Sequence, residues 1–358
     1  MAMKQKRKPL YLKIREQLRE EIQAGKWKCG QCIPTEIELS QYYSVSRFTV
    51  RQAILQLVQE GLLERISGRG TFVREAKASR VAREQQLLGV VLPYQPSAHT
   101  GEILKGIERR ASQLGMRVVF INSQQAEDEG QLLIQLLTEG VCGLIYYCSE
   151  LDKTDEIVMM LKERAVPFVF VDRYPVDIPV DYVATDNFQG SYEAMNYLLR
   201  QGYRKIAFVS CDKGASTVSQ RMKGYVLAHT IAGLTPAPSL CFVSARPELT
   251  DGELEKVLAA KPDAIFTTDL IAVRLMNMAF KRGIEVPQQL ALIGFDNSPI
   301  ASLVNPPLTT VEQPTEEMGV QAVNIIAGKL AGDQEYVQLT LPTRLVVRSS
   351  CIADSVEE

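Results

Sequence analysis

The sequence predicts a two-part chain: a small α+β unit of three helices and a hairpin, then a larger two-lobed α/β unit on mostly parallel sheets. Three observations point there. The charge is split: residues 1–80 hold 16 Lys and Arg against 8 Asp and Glu, and residues 81–358 hold 24 against 34. The net charge of -2 therefore conceals +8 on the first part and -10 on the second. The apolar pattern also changes. It is helical through the first part, and later becomes short apolar runs alternating with helical stretches, the mark of a parallel, buried sheet. Between the two lies a polar stretch, residues 75–86, in which Val81 is the only strongly apolar side chain and which reads as a solvated linker. A length of 358 residues fits roughly two or three domains.

In the first part, Tyr11, Ile14, Leu18 and Ile22 recur at helical spacing, with Pro9 near the start and Gly25 as the stop. Pro34-Thr35-Glu36-Ile37-Glu38 opens a second, short helix. Thr35 can cap it, and Glu38 three residues on completes a capping box. A third helix runs from Ser46, with Val50, Ile54 and Leu57 on one face and Gly61 at its end. Residues 62–66 and 71–73 then form two short strands around Ser67-Gly68-Arg69-Gly70, a hairpin.

The second and third helices form a helix-turn-helix candidate, in which the N-terminus of the second of the pair reaches base edges in the major groove. Here that N-terminus carries Ser46, Arg47, Phe48, Thr49 and Arg51. Arg bonds guanine bidentately, and Ser and Thr bond phosphate or base. At the hairpin tip, Arg69 between two glycines can follow the adjacent groove. The competing reading is a set of solvated surface charges. Residues 9–73, with Pro-Thr-Glu, Val-Ser-Arg-x-Thr-Val-Arg, Glu-Gly-Leu-Leu and Gly-Arg-Gly-Thr-Phe-Val, resemble the winged helix-turn-helix domain of GntR-family transcription regulators. The resemblance implies operator DNA contacts at Arg47, Thr49 and Arg51 and at Ser67 and Gly68 of the wing. Ile37 stands where that family often has a basic or polar residue.

In the second part, strands are expected near 88–92, 117–121, 143–147, 168–171, 182–185, 205–209, 264–267 and 290–295. Helices are expected near 101–114, 130–138, 155–164, 188–201, 218–232 and 270–282. Some 260 residues is large for one such sheet, which favours two lobes. Ligands in open α/β sheets sit beyond the carboxyl ends of strands. Asp172 and Arg173, Thr268 and Asp269, and Asp296 each follow a strand, and carboxylates with a guanidinium suit a hydroxyl-rich ligand. An Asp at a strand end can equally be a helix cap or turn former.

Residues 87–350 resemble the periplasmic-binding-protein-like (type I) effector domain of LacI/GalR repressors. The segments that carry the likeness include Leu88–Pro93, Asp186-Asn187-Phe188-Gln189-Gly190, Arg221-Met222-Lys223-Gly224-Tyr225, Gly294-Phe295-Asp296-Asn297 and Pro306–Val311. Two positions depart from the usual pattern: Asn297 replaces a second Asp, and Tyr203 a His. The resemblance implies effector contacts at Arg221 and Asp296, then at Thr268 and next to Arg173, with Ser216 and Thr217 at the cleft mouth; Asp269 is a candidate from its place after a strand. Tyr94 after the first strand could stack on a sugar ring. The expected division is a DNA-binding unit at 1–74, a linker at 75–86, an effector domain at 87–350 and a tail at 351–358. Lobe 1 takes about 87–187 plus 312–336, and lobe 2 about 188–311 plus 337–350.

The expectation is a cytoplasmic, homodimeric transcription regulator. It would bind double-stranded operator DNA, most simply as a repressor of carbohydrate-utilisation genes, under a sugar-like effector. No catalytic role, cofactor or metal is expected. Histidine-centred chemistry has only His99 and His229 to draw on, and no P-loop, G-x-S-x-G or H-E-x-x-H occurs. Cys29-Gly30-Gln31-Cys32 lacks the further ligands a zinc site needs. No run of about 18 apolar residues is present, and the basic N-terminus leads into an amphipathic stretch and not into a signal-peptide core. The alternative is a solute-binding protein for sugar uptake, which the basic first part argues against.

Overall fold

The computed structural model describes residues 10–23, 26–28, 30–59, 62–66, 69–73, 86–93, 98–123, 128–149 and 153–351. The chain divides into two compact units at residues 85 and 86.

The first unit follows the order read from the sequence: α1 (Leu10–Gln23), α2 (Glu36–Tyr42), α3 (Arg47–Gln59), then β1 (Leu63–Ile66) and β2 (Gly70–Val73). Thr35 caps α2, and Glu38 bonds back to the Thr35 backbone, so the capping box forms. Ile14, Leu18, Leu39, Val50, Ile54, Leu57 and Leu63 close one small core. The hairpin β1–β2 is antiparallel, with Leu63 opposite Val73. Residues 30–33 lie alongside it: Ile33 N–H donates to Thr71 at 2.8 Å and Val73 N–H to Gln31 at 2.8 Å. Cys32 therefore belongs to a strand-like edge, while Cys29 lies outside the described residues.

The second unit holds two six-stranded sheets, one per lobe. The first sheet is built from β3 (Leu87–Leu92), β4 (Arg117–Asn122), β5 (Gly143–Tyr146), β6 (Phe168–Val171), β7 (Tyr182–Thr185) and β13 (Gln338–Leu341). The second comprises β8 (Ile206–Ser210), β9 (Cys241–Val243), β10 (Ala264–Phe266), β11 (Ala291–Asp296), β12 (Thr309–Glu312) and β14 (Arg344–Val346). Their orders are β4-β3-β5-β6-β7-β13 and β9-β8-β10-β11-β12-β14, the same spatial sequence twice. Every pairing is parallel except that of β14 with β12. The strands are apolar on both faces because helices cover both. On β3, Leu88, Val90 and Leu92 pack on one side and Val91 on the other, the period of two that a strand imposes.

The first sheet is covered by α4 (Ala98–Gln113), α5 (Glu129–Thr138), α6 (Thr154–Glu163) and α12 (Thr315–Leu330). The second is covered by α7 (Asn187–Arg200), α8 (Ser216–Ile231), α9 (Asp251–Ala259), α10 (Asp269–Lys281) and the short α11 (Ile300–Leu303). The lobes also share a helix pair. In lobe 1, α4 crosses α12 where a Cβ on Gly106 would lie 2.0 Å from the Glu316 carbonyl oxygen. In lobe 2, α7 crosses α8 where a Cβ on Gly224 would lie 2.5 Å from the Phe188 carbonyl oxygen. Close packing thus explains Gly224 in the Arg-Met-Lys-Gly-Tyr segment.

The chain passes between lobes after β7, after β12 and between β13 and β14. This corrects the expected division. Residues 338–341, assigned above to lobe 2, pair in parallel with Tyr182–Thr185 and belong to lobe 1. β13 alternates exposed and half-buried residues at a sheet edge, so its sequence does not read as a buried strand.

Candidate functional site

The exposed face of α3 carries Arg47, Phe48, Arg51 and Leu55, at the spacing that places them side by side on a helix. Ser46 stands at its head. Its Oγ accepts from the Thr49 N–H at 3.2 Å and lies 2.8 Å from the Thr49 hydroxyl, so both side chains serve the N-terminal end of the helix. Arg51 forks onto Glu36 of α2, with Nη2 2.9 Å and Nε 3.1 Å from Oε2. Arg65 of β1 donates to the other Glu36 oxygen at 2.7 Å. One carboxylate thus ties the third helix and the hairpin to the second helix. The Arg51 fork holds that carboxyl below its usual range. Arg47 and Arg69 are exposed and make no side-chain bond among the described residues. Ser67 and Gly68 lie outside the described residues.

In the second unit, a cavity of about 400 Å³ opens between the lobes. It lies at the carboxyl ends of the strands, beside the points where both sheet orders reverse. Arg173, Arg221, Thr268 and Asp296 line it, along with His99, Tyr147, Asp172, Asp212, Thr217 and Gln313. Asp172 follows β6 at φ 67°, Asp212 follows β8 at φ 57°, and Asp296 ends β11 at φ 125°. Three aspartates in the left-handed region at the ends of three strands are strained positions gathered on one cavity.

The cations here are already matched. Arg173 Nη2 sits 2.6 Å from Asp212 Oδ2, bridging the lobes, and its guanidinium lies 5.1 Å from the Tyr147 ring centroid. Arg221 Nε donates to Asn187 Oδ1 at 2.7 Å, and its guanidinium stacks 3.7 Å from the Phe295 centroid. Burial lowers the Arg221 pKa against the pull of Asp296 and Asp172. His99 Nε2 lies 3.3 Å from Asp172 Oδ1. Burial opposes the Asp172 carboxylate, but His99, Arg173 and Arg221 together outweigh it and hold its pKa at about 2. Burial also opposes a charged His99, yet Asp172 and Asp296 raise its pKa above the ordinary value. Gln313 Nε2 donates to Asp296 Oδ1 at 2.7 Å. Three polar atoms in the cavity wall have no hydrogen-bond partner among the described residues: His99 Nδ1, Arg173 Nε and Gln313 Oε1. Buried polar groups of this kind are completed by a ligand or water.

Two expected contacts are corrected. Asp269 begins α10 but is buried behind the cavity wall. It accepts from Thr310 Oγ1 at 2.5 Å and from Ser298 N–H and Oγ at 2.7 and 2.8 Å. A Cβ on Gly294 would lie 2.1 Å from the Asp269 Oδ1, which accounts for that glycine. Burial, with Asp296 adding to it, raises the Asp269 pKa to about 7. Ser216 is likewise turned away, its Oγ accepting the Tyr174 N–H at 3.2 Å, and its neighbour Thr217 takes the place in the wall. Tyr94 lies outside the described residues. Asp172, read from the sequence as a carboxylate at a strand end, lines the cavity. His99, Tyr147, Asp212 and Gln313 were not singled out as effector contacts from the sequence; Asp212 also follows a strand, a signal that could have found it.

Residues 10–73 match the model of the bacterial regulatory proteins of the gntR family, and residues 195–351 that of the periplasmic binding protein-like domain. The catabolite control protein A of Priestia megaterium is 32% identical over 298 residues, covering 80% of this chain and 87% of that protein. This chain belongs to the transcriptional regulators that join a GntR-family head to a LacI/GalR-type effector domain. The arabinose metabolism transcriptional repressor of Geobacillus stearothermophilus is 27% identical over 337 residues, 90% of this chain and 92% of that protein. Among solved structures, a transcriptional regulator CelR–cellobiose complex superposes with a TM-score of 0.68 at 25% identity, over 89% of this chain and 100% of that one. No helix among the described residues is long and apolar enough to cross a membrane.

Proposed function

We propose that this regulator represses carbohydrate-utilisation genes, and that a neutral, unphosphorylated sugar bound between the lobes sets its grip on the operator. One observation carries the reading. The cleft presents unpartnered donors and acceptors, yet its three arginines are already engaged: Arg173 with Asp212, Arg274 with Asp251, and Arg221 with the Asn187 amide and the Phe295 ring. A neutral polyol, which donates and accepts at each hydroxyl, completes such a wall. A sugar phosphate would bring two negative charges toward Asp172, Asp212 and Asp296, with Arg173 and Arg274 already paired to carboxylates and only Arg221 to meet it. The names of the relatives, which include arabinose metabolism and a cellobiose complex, support a sugar. The GntR-family head supports regulation over uptake alone.

In this reading Arg221, Arg173, Thr268 and Asp296 contact the sugar together with His99, Asp172 and Gln313. Arg47, Thr49, Arg51 and Arg69 face the operator, with Ser67 and Gly68 in the wing. The protein works in the cytoplasm as a homodimer, and it performs no chemistry on its effector. A ligand that closes the lobes shifts the operator-bound population only as far as its affinity differs between the two states. The test is a thermal-shift screen of the full chain against pentoses, hexoses, disaccharides and their phosphates. A neutral sugar should raise the melting temperature and its phosphate should not. Stabilisation by phosphates alone would overturn the assignment.

A further inference from the structure

α3 presents an unusual face for a DNA-reading helix. Phe48, its second residue, is 68% exposed, and Ile37 on α2 is 48% exposed. Phe48 lies three residues from Arg51, on the same side of the helix, and Leu55 continues the stripe at 44% exposure. Ile37 follows Glu36, whose carboxylate is bonded to Arg51. Two large apolar side chains therefore sit in water within a surface bearing Arg47, Arg51 and Arg65. An exposed apolar side chain alone needs no explanation, but Phe48, set between exposed Arg47 and Arg51 at the start of this helix, does. The surrounding charge points to a polyanion as the occupant. The one strongly apolar feature that B-DNA displays in its major groove is the thymine 5-methyl group.

We propose that Phe48 reads thymine methyl groups in the major groove, so that the operator is specified by thymines at that position beside the bases or phosphates met by Arg47 and Arg51. This rests on the DNA-reading function stated above and adds which bases it selects. Phe48 makes no ionic contact, so its contribution differs in kind from that of the arginines. It depends on one methyl group and not on salt.

The experiment selects binding sites from a randomised duplex pool with the full-length chain. Each thymine of the enriched site is then replaced singly by deoxyuridine, which removes only the methyl. For the wild type, at least one replacement should weaken binding about fourfold, the worth of one buried methyl. In Phe48→Ala the same replacement should change affinity less than about twofold, with the salt dependence of binding unaltered. Phe48→Leu, which keeps an apolar contact, should retain part of the discrimination. Equal deoxyuridine sensitivity in wild type and Phe48→Ala would overturn the proposal, as would a wild-type site with no sensitive thymine. Loss of all duplex binding by Phe48→Ala, selected and random alike, would mark a folding residue and overturn it too. A wild-type chain that enriches no sequence would overturn the DNA-reading function itself, a separate and visible failure.

Discussion

The exposed face of α3 and the interlobe cavity use the same side chains under opposite dielectric conditions. On the head, Arg47 and Arg69 stand in water, and Arg51 and Arg65 are half exposed on a single carboxylate. In the cleft, Arg173 and Arg221 are enclosed, and each is held by a hydrogen bond and an aromatic ring. Exposed cations cost little to keep and suit a partner that is itself a dense anion. Enclosed cations must be matched in place, and what then remains for a ligand is hydrogen bonding. The contrast accounts for the basic side of the charge split: a basic head suits a partner that supplies the counter-charge, and a balanced cleft suits one that does not.

The comparison can be broken most severely at Arg221. Replacing it by Ala should leave Asp172 and Asp296 without their shared cation, destabilising the effector domain by about 3–5 kcal/mol and abolishing effector binding. Chemical denaturation and calorimetry would show both, while the head keeps its affinity for DNA. A variant that bound effector normally would remove Arg221 from the site.

Next in size is a dependence on pH. The Asp269 carboxyl has a folded pKa near 7, above its unfolded value. The fold therefore holds that proton after the unfolded chain has lost it, and stability falls as pH rises from about 4 toward 7. Each tenfold difference in proton affinity between folded and unfolded chain is worth roughly 1.4 kcal/mol, so the fall amounts to a few kcal/mol. Asp172 behaves oppositely: its stabilisation is present above the unfolded value and is lost as pH falls through about 2. Burial also raises the Asp296 carboxyl, which acts on Asp269, so the two titrate together and Asp269→Asn should reduce the fall between about pH 5 and 7.5 in urea denaturation. An unchanged slope would mean that another group carries it.

On the head, Arg47→Ala should weaken specific binding by about 1–3 kcal/mol and leave effector affinity unchanged. Gel-shift titration against the selected site and against random duplex separates the two effects, and equal loss at both duplexes would make Arg47 a phosphate contact only. The smallest effect is expected at Glu36. Glu36→Gln removes a negative charge beside the DNA and loosens Arg51 and Arg65. Specific affinity should fall by roughly threefold, within the range of an exposed ion pair, while non-specific affinity holds or rises. A parallel fall in both would contradict the positioning role.

The two regions were also unequally legible in the sequence. The head is built from contacts close along the chain: helix spacing, the Thr35–Glu38 capping box and a hairpin across a glycine turn are all local patterns. The strands of the body were readable for the same reason, because apolar runs such as Phe168–Val171 mark themselves. The cleft was only partly readable, since it joins chain ends far apart in sequence. Arg221 and Asp296 came from resemblance, but His99 meets Asp172 only because β3, which leads into α4, and β6 both end at the same edge of one sheet, with β5 between them. Asp269 and Asp296 look alike as residues after strands, and only the fold shows that three hydroxyl and amide donors occupy one while the other faces the cavity. Glu36, whose partners lie 15 and 29 residues away, gave no local signal.

The central claim is that ligand in the buried cleft governs the exposed DNA-reading face. It is tested most directly by fluorescence anisotropy of the selected operator with and without the sugar found in the thermal-shift screen. The wild type should show at least about a tenfold change in operator affinity, a coupling of roughly 1.4 kcal/mol. Asp296→Ala should show no change, and its affinity without sugar should match the wild type. An operator affinity indifferent to a sugar that demonstrably binds, or a response that survives in Asp296→Ala, would contradict the claim.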